Sequence, residues 1–154
     1  MEKHLECLQN AIRSIRVADH ILYVTYPVIK DKRLLLKALE EVCESVILII
    51  KAILYHDSAK EMIKTSQNSH ENFEIFISKC AKRYNLTEED IIEIKEILYT
   101  SESHKKSSME FIRKEKVVIM ADSLKTMIIE PVNLKKHMNF AKSFINKAKF
   151  GMNI

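Results

Sequence analysis

The stretch KRLLLKALEEVCESVILIIKAILYH, Lys32 to His56, contains neither glycine nor proline, and its polar residues are not scattered. Wound at 3.6 residues per turn, Lys37, Glu40, Glu41, Glu44 and Lys51 gather on one strip, and most of the remaining circumference is apolar. A helix of this kind is covered on most sides, so it belongs at the centre of a fold. Its longest apolar run, Val46 to Tyr55 broken by Lys51, is about half of the ~20 residues that a bilayer span needs. It therefore reads as a core helix, with Asp31 as the expected N-cap.

Working outward, Leu5, Leu8, Ala11, Ile12, Ile15, Ala18 and Leu22 repeat at three and four, which predicts an amphipathic first helix of about five turns that stops before Pro27. On the other side, polar residues dominate 58–70, and TSQNSH within it, 65–70, reads as a loop or the frayed end of a short helix. Phe73, Phe76, Ile77 and Cys80 then predict a third helix from about Glu71 to Tyr84. Thr87 with Asp90 three residues later approximates a capping box and opens a fourth helix carrying Ile91, Ile94, Ile97 and Leu98. The polar TSESHKKSS, 100–108, is expected to break that pattern. Two β-branched runs, 116–120 and 125–129, predict a small hairpin. Pro131 or Val132 opens a last helix with Leu134, Met138, Ala141, Ile145 and Ala148 on its apolar face.

Composition supports the same fold. One glycine and two prolines in 154 residues leave little of the turn chemistry that strand-rich and α/β folds use. The expected fold is all-α: a single domain, 1–154, built as a bundle of about five helices with a short β-hairpin near residues 116–129. The same scarcity excludes glycine-dependent phosphate loops, dinucleotide fingerprints and nucleophile elbows. Cys7, Cys43 and Cys80 have no metal-knuckle spacing and read as reduced thiols. MEKHLECLQN carries acids and no apolar leader core, so the chain is expected in the cytoplasm, and no cofactor is expected.

Three constellations could carry function. The run AILYHDSAK, 52–60, resembles the apolar stretch ending in His-Asp of the HD superfamily of metal-dependent phosphohydrolases, with Ala59 where that family commonly has glycine. The resemblance implies metal ligation by His20, His56, Asp57 and Asp122. RSIRVADH, in which Arg13 and His20 enclose six residues, is similar to the Arg-x4–6-His pattern of the HEPN helical nucleases, which implies RNA cleavage. Asp19 falls on the apolar arc of the first helix, where a carboxylate needs a partner, and Arg16 three residues earlier is the expected one.

The third constellation is charge. No acid follows Pro131, whereas Lys135, Lys136, Lys142, Lys147 and Lys149 do. Lys105, Lys106, Arg113, Lys114 and Lys116 form a second basic cluster. If these meet, with Arg113 and Lys114 beside the last helix, a nucleic acid or another polyanion is the matching ligand.

The run HILYVTYPVIKD, with the later KKSSMEFIRKEKVVIM, is similar to a group of small uncharacterised archaeal proteins, which implies a helical fold and a cytoplasmic setting. The leading expectation is a non-enzymatic helical interaction module that self-associates or binds another helical protein, with polyanion contact through its basic last helix and no membrane insertion. The HD-like phosphohydrolase is the alternative, and the HEPN-like RNase stands behind it. Under the leading expectation, His56-Asp57 is the polar end of a buried helix.

Overall fold

A computed structural model describes residues 2–106, 109–113, 116–120 and 126–154. Five helices form the bulk of the chain: α1 (Lys3–His20), α2 (Arg33–Ala59), α3 (Ser69–Ile75), α4 (Glu88–Lys106) and α5 (Pro131–Gly151). Three short strands, β1 (Met109–Arg113), β2 (Lys116–Met120) and β3 (Thr126–Ile129), make an antiparallel meander in the order β1-β2-β3. In the second pair, Val117 lies opposite Ile129 and Met120 opposite Thr126. The expected hairpin is β2-β3, and β1 extends it by a strand the sequence reading did not anticipate.

α2 is central, as its polar strip requires. Leu35, Leu39, Val42, Val46, Ile49 and Ile53 are fully buried along its length, each contributing ~1.5–3 kcal/mol of hydrophobic stabilisation relative to exposure. α1 runs antiparallel beside it: Ala11 accepts a 2.9 Å hydrogen bond from the buried Ser45 hydroxyl, and the rings of His4 and His56 meet at the far end. α5 closes over both, with Phe144 against Phe76 at 6.2 Å between ring centres. Among the described residues, no helix is long and apolar enough to cross a membrane.

Local grammar departs from expectation at three places. The first helix does not stop at Pro27: it passes through a π turn, Ile21–Thr25, and continues over Tyr26–Ile29. In that turn the Tyr26 amide donates to the Ile21 carbonyl, and the wider ring makes room for the proline against the Tyr23 carbonyl four residues back. Asp31 does not cap α2 from the N-cap position. Its carboxylate instead accepts from the Arg33 amide at 2.9 Å and pairs with the Arg33 guanidinium, which holds the Asp31 carboxyl down at about 2. α4 carries on through TSESHK to Lys106 because Thr100, Ser101 and Ser103 face inward, Thr100 bonding the Glu96 carbonyl. The capping box at Thr87 and Asp90 forms reciprocally, at 3.0 and 3.1 Å.

Left-handed backbone is supplied without glycine. Lys30, Glu61, Asn85 and Asn153 all have φ between 56° and 60°. At the end of α2, Glu61 is the turning residue, and the Met62 amide reaches back to the Asp57 carbonyl. The only glycine, Gly151, lies in α5, where a β-carbon would collide with the ring of Tyr84.

Candidate functional site

Asp57 sits in the last turn of α2 and is completely buried. An isolated carboxylate there would cost several kcal/mol, and the chain answers with four neighbours. α3 ends in a second π turn, Phe76–Cys80, followed by a tight 3₁₀ turn, Ala81–Tyr84. Those turns carry Cys80, Arg83 and Tyr84 to one side. The Arg83 guanidinium donates to Asp57 Oδ2, and the Tyr84 hydroxyl donates to Oδ1 at 2.8 Å. His56 Nδ1 lies 3.1 Å from the same Oδ1 and 3.3 Å from the Tyr84 oxygen.

Titration follows from this packing. Burial pushes the Asp57 carboxyl up, but hydrogen bonds from His56, Tyr84, Arg83 and Cys80 together hold it below the usual carboxylate range. Burial and the adjacent Asp57 charge push the Cys80 thiol up to about 12 and raise the Tyr84 phenol. Cys7 and Cys43 are also raised, chiefly by burial. No thiol here is poised as a nucleophile at neutral pH.

Beyond His56 the cluster opens into a cavity of about 750 Å³ between the start of α1, the end of α2 and the end of α5. The His4 ring meets His56 edge-on, 5.2 Å between centres, and its Nε2 is 3.4 Å from Glu2. With Nδ1 of His56 turned to Asp57, Nε2 is the nitrogen left for the cavity. This arrangement can bind, orient or exchange a proton with a small ligand.

Of the four residues expected to ligate metal, the structure brings together His56 and Asp57. His20 is exposed and lies sixteen residues beyond His4 on the same helix, about 24 Å along its axis from the end where His4 meets His56. Asp122 lies outside the described residues. Among those described, no three His, Cys, Asp or Glu side chains converge as metal ligands would. Arg13 and His20 are both exposed on the outer side of α1, and Arg13 donates to Asn10 at 3.3 Å. Asp19 is not buried as expected: its side chain is 41% exposed, and its partner is Lys142 at 2.7 Å, across the helix pair, not Arg16.

The lysines of the last helix are largely engaged within the fold. Lys136 approaches Glu93 at 3.6 Å, Lys142 bonds Asp19, and Lys147 bonds Asp90 at 2.7 Å and the Asn85 carbonyl at 3.1 Å. Lys135 lies 4.7 Å over the ring of Tyr23, and Lys149 is half-buried. These contacts make the lysine face an inter-helix fastening with acids of α1 and α4. Lys114 lies outside the described residues, and Arg113 is placed in β1.

Sequence reasoning missed His4, Arg83 and Tyr84. A signal existed for two of them, since Arg83 and Tyr84 stand three and four residues after Cys80, on the apolar face of their helix. Polar groups on such a face call for a buried partner. A second buried pair, Glu93 with His137 at 2.8 Å, joins α4 to α5 and was missed entirely. No protein-family model matches this chain, and no curated protein matches its sequence significantly.

Proposed function

We propose that the protein is a cytoplasmic, non-enzymatic helical interaction module that pairs with a second copy of itself. One observation carries this reading: the far end of the first helix leaves Val24, Val28 and Ile29 exposed at 53%, 81% and 63%. Val132 stands out to 73%. The pairs Asp19–Lys142 and Tyr23–Lys135 set α1 and α5 antiparallel, and that register brings Val132 to the same end as Val28. Exposed apolar groups gathered at one end mark a contact surface better than scattered ones do.

A second copy is the occupant because the rim carries both signs. Lys30 and the surface pair Asp31–Arg33 border the patch, so a two-fold axis can let each copy's Asp31 share its bond to Arg33 with the other copy's Lys30. The buried Cys43 and Cys80 thiols agree with a reducing compartment.

Light scattering over a concentration series up to about 100 μM tests the reading, since a specific pair holds together well below that level. The expected mass is that of a dimer, and Val28→Glu is expected to return it to a monomer with an unchanged helical spectrum. A monomer at every concentration, or a dimer indifferent to Val28→Glu, removes the proposal.

A further inference from the structure

The cavity beside His4 and His56 does not belong to the apolar end of α1; it lies at the opposite end of that helix. Its volume, about 750 Å³, falls in the range of roughly 300–1,000 Å³ typical of small-molecule sites. We infer that it binds a small organic anion, a carboxylate or phosphate monoester, through a cationic rim formed by Lys3 and Lys60, with the imidazoles of His4 and His56 beside them.

The sign of the ligand follows from the walls. Lys3 and Lys60 line the opening with the two imidazoles, and Glu2 is the acidic side chain among the lining residues. Lys3 is held by the face of Tyr55, its ammonium 5.4 Å from the ring centre, so its charge is placed rather than free to wander.

Backbone polarity adds to this cationic rim. α1 begins here with no side-chain cap: Glu2 offers its carbonyl to the Leu5 and Glu6 amides, and its carboxylate makes no capping bond. The amides of Lys3 and His4, which a helix cannot satisfy internally, therefore lie at the end of α1 that lines the cavity. The α2 terminus that shares the cavity could have opposed this with bare carbonyls. It does not, because the carbonyls of His56, Ser58 and Asp57 already accept from Lys60, Glu61 and Met62, and at the end of α5, which also borders the cavity, those of Ala148, Phe150 and Lys149 accept from Met152, Asn153 and Ile154.

Asp57 acts as a positioning residue. It is itself neutralised by Arg83 and fixed by Tyr84, so it can hold Nδ1 of His56 without lending the cavity a net negative charge. Leu5, Met152 and Ile154 supply apolar wall, and with Tyr55 they suit a ligand having a hydrocarbon or aromatic body behind its charged head.

An amide-resolved NMR titration with phenyl phosphate, with neutral phenol as the control, tests the inference. Phenyl phosphate is expected to give saturable shifts confined to residues 3–5, 55–60 and 152–154. Phenol is expected to give none over the same range. The double variant Lys3→Gln/Lys60→Gln changes two exposed side chains, so the rest of its spectrum should be unaltered while its Kd rises by about tenfold or more. Absence of saturation at about 10 mM, enough to fill a site of Kd ~1 mM, overturns the inference. So does equal binding of phenol, an unchanged Kd in the double variant, or shifts centred on the lysines of α5. Dimer formation is read separately by mass, so either proposal can fail without the other.

Discussion

Asp57 and Glu93 are both carboxylates taken out of water beside a histidine, yet the fold treats them differently. Asp57 is sealed, with Arg83, Tyr84 and His56 all bonded to it. Glu93 keeps a 12% exposed side chain and is held by His137 at 2.8 Å, with Lys136 further off at 3.6 Å and itself 68% exposed. One pair lies at the edge of a large cavity. The other stitches two helices. The contrast teaches that burial alone does not mark a site; what distinguishes the Asp57 cluster is a full counter-charge on the carboxylate and, beyond His56, a cavity of about 750 Å³, against about 210 Å³ beside His137.

If that distinction is right, removing the counter-charge should be the most damaging single change. Arg83→Met is expected to lower the unfolding free energy by about 3–5 kcal/mol, because it strands a buried charge, and urea denaturation will measure it. The same carboxyl has a pH signature. Its native pKa is depressed, so its stabilisation is complete above the unfolded value near 3.9 and is lost as pH falls through the lower native value. Asp57→Asn should remove that component of the acid limb of a stability profile, whereas Glu93→Gln is a control that leaves it in place.

A smaller effect tests the wall behind Asp57. Gly151→Ala drives a methyl group into the Tyr84 ring, which cannot retreat without releasing its hydrogen bond to Asp57. The expected loss is about 1–3 kcal/mol, read from the thermal midpoint. At the other pair, Lys136→Met should cost no more than about 1 kcal/mol, since its ammonium is mostly solvated. Equal losses for Arg83→Met and Lys136→Met would erase the comparison.

The helices were legible because periodicity reports which face is buried: the strip on α2 predicted its central place, and Thr87 with Asp90 predicted the start of α4. What periodicity cannot report is who lies opposite. Asp19 was assigned to Arg16 because they are near in sequence, while its partner Lys142 is 123 positions away. Likewise the pair Glu93–His137 leaves no mark on either helix read alone. The stop at Pro27 was misplaced for a different reason, since a single-turn change in hydrogen-bond pattern absorbed the ring. In TSESHKKSS, hydroxyl side chains looked like a loop, yet Thr100 returns its donor to the helix and can be buried. His56-Asp57 was legible as a helix end. That it also walls a cavity depended on His4, and nothing in the sequence ties residue 4 to residue 56.

The π turn at Ile21–Thr25 lets this segment carry one residue more than an ordinary helix of the same rotation. Such a turn takes up one inserted amino acid at nearly the same total rotation, so deleting one would restore an ordinary helix and leave the faces beyond it almost unturned. In that shorter helix Tyr26, 7% exposed with its hydroxyl bonded to Lys32, would keep its inward face and Val28 its outward one. Chain length between His20 and Lys30 can therefore change by one within the turn without re-aiming the exposed apolar end. The shortening would be felt instead at Pro27, whose ring would lose the room that the wide turn gives it and meet a helix carbonyl.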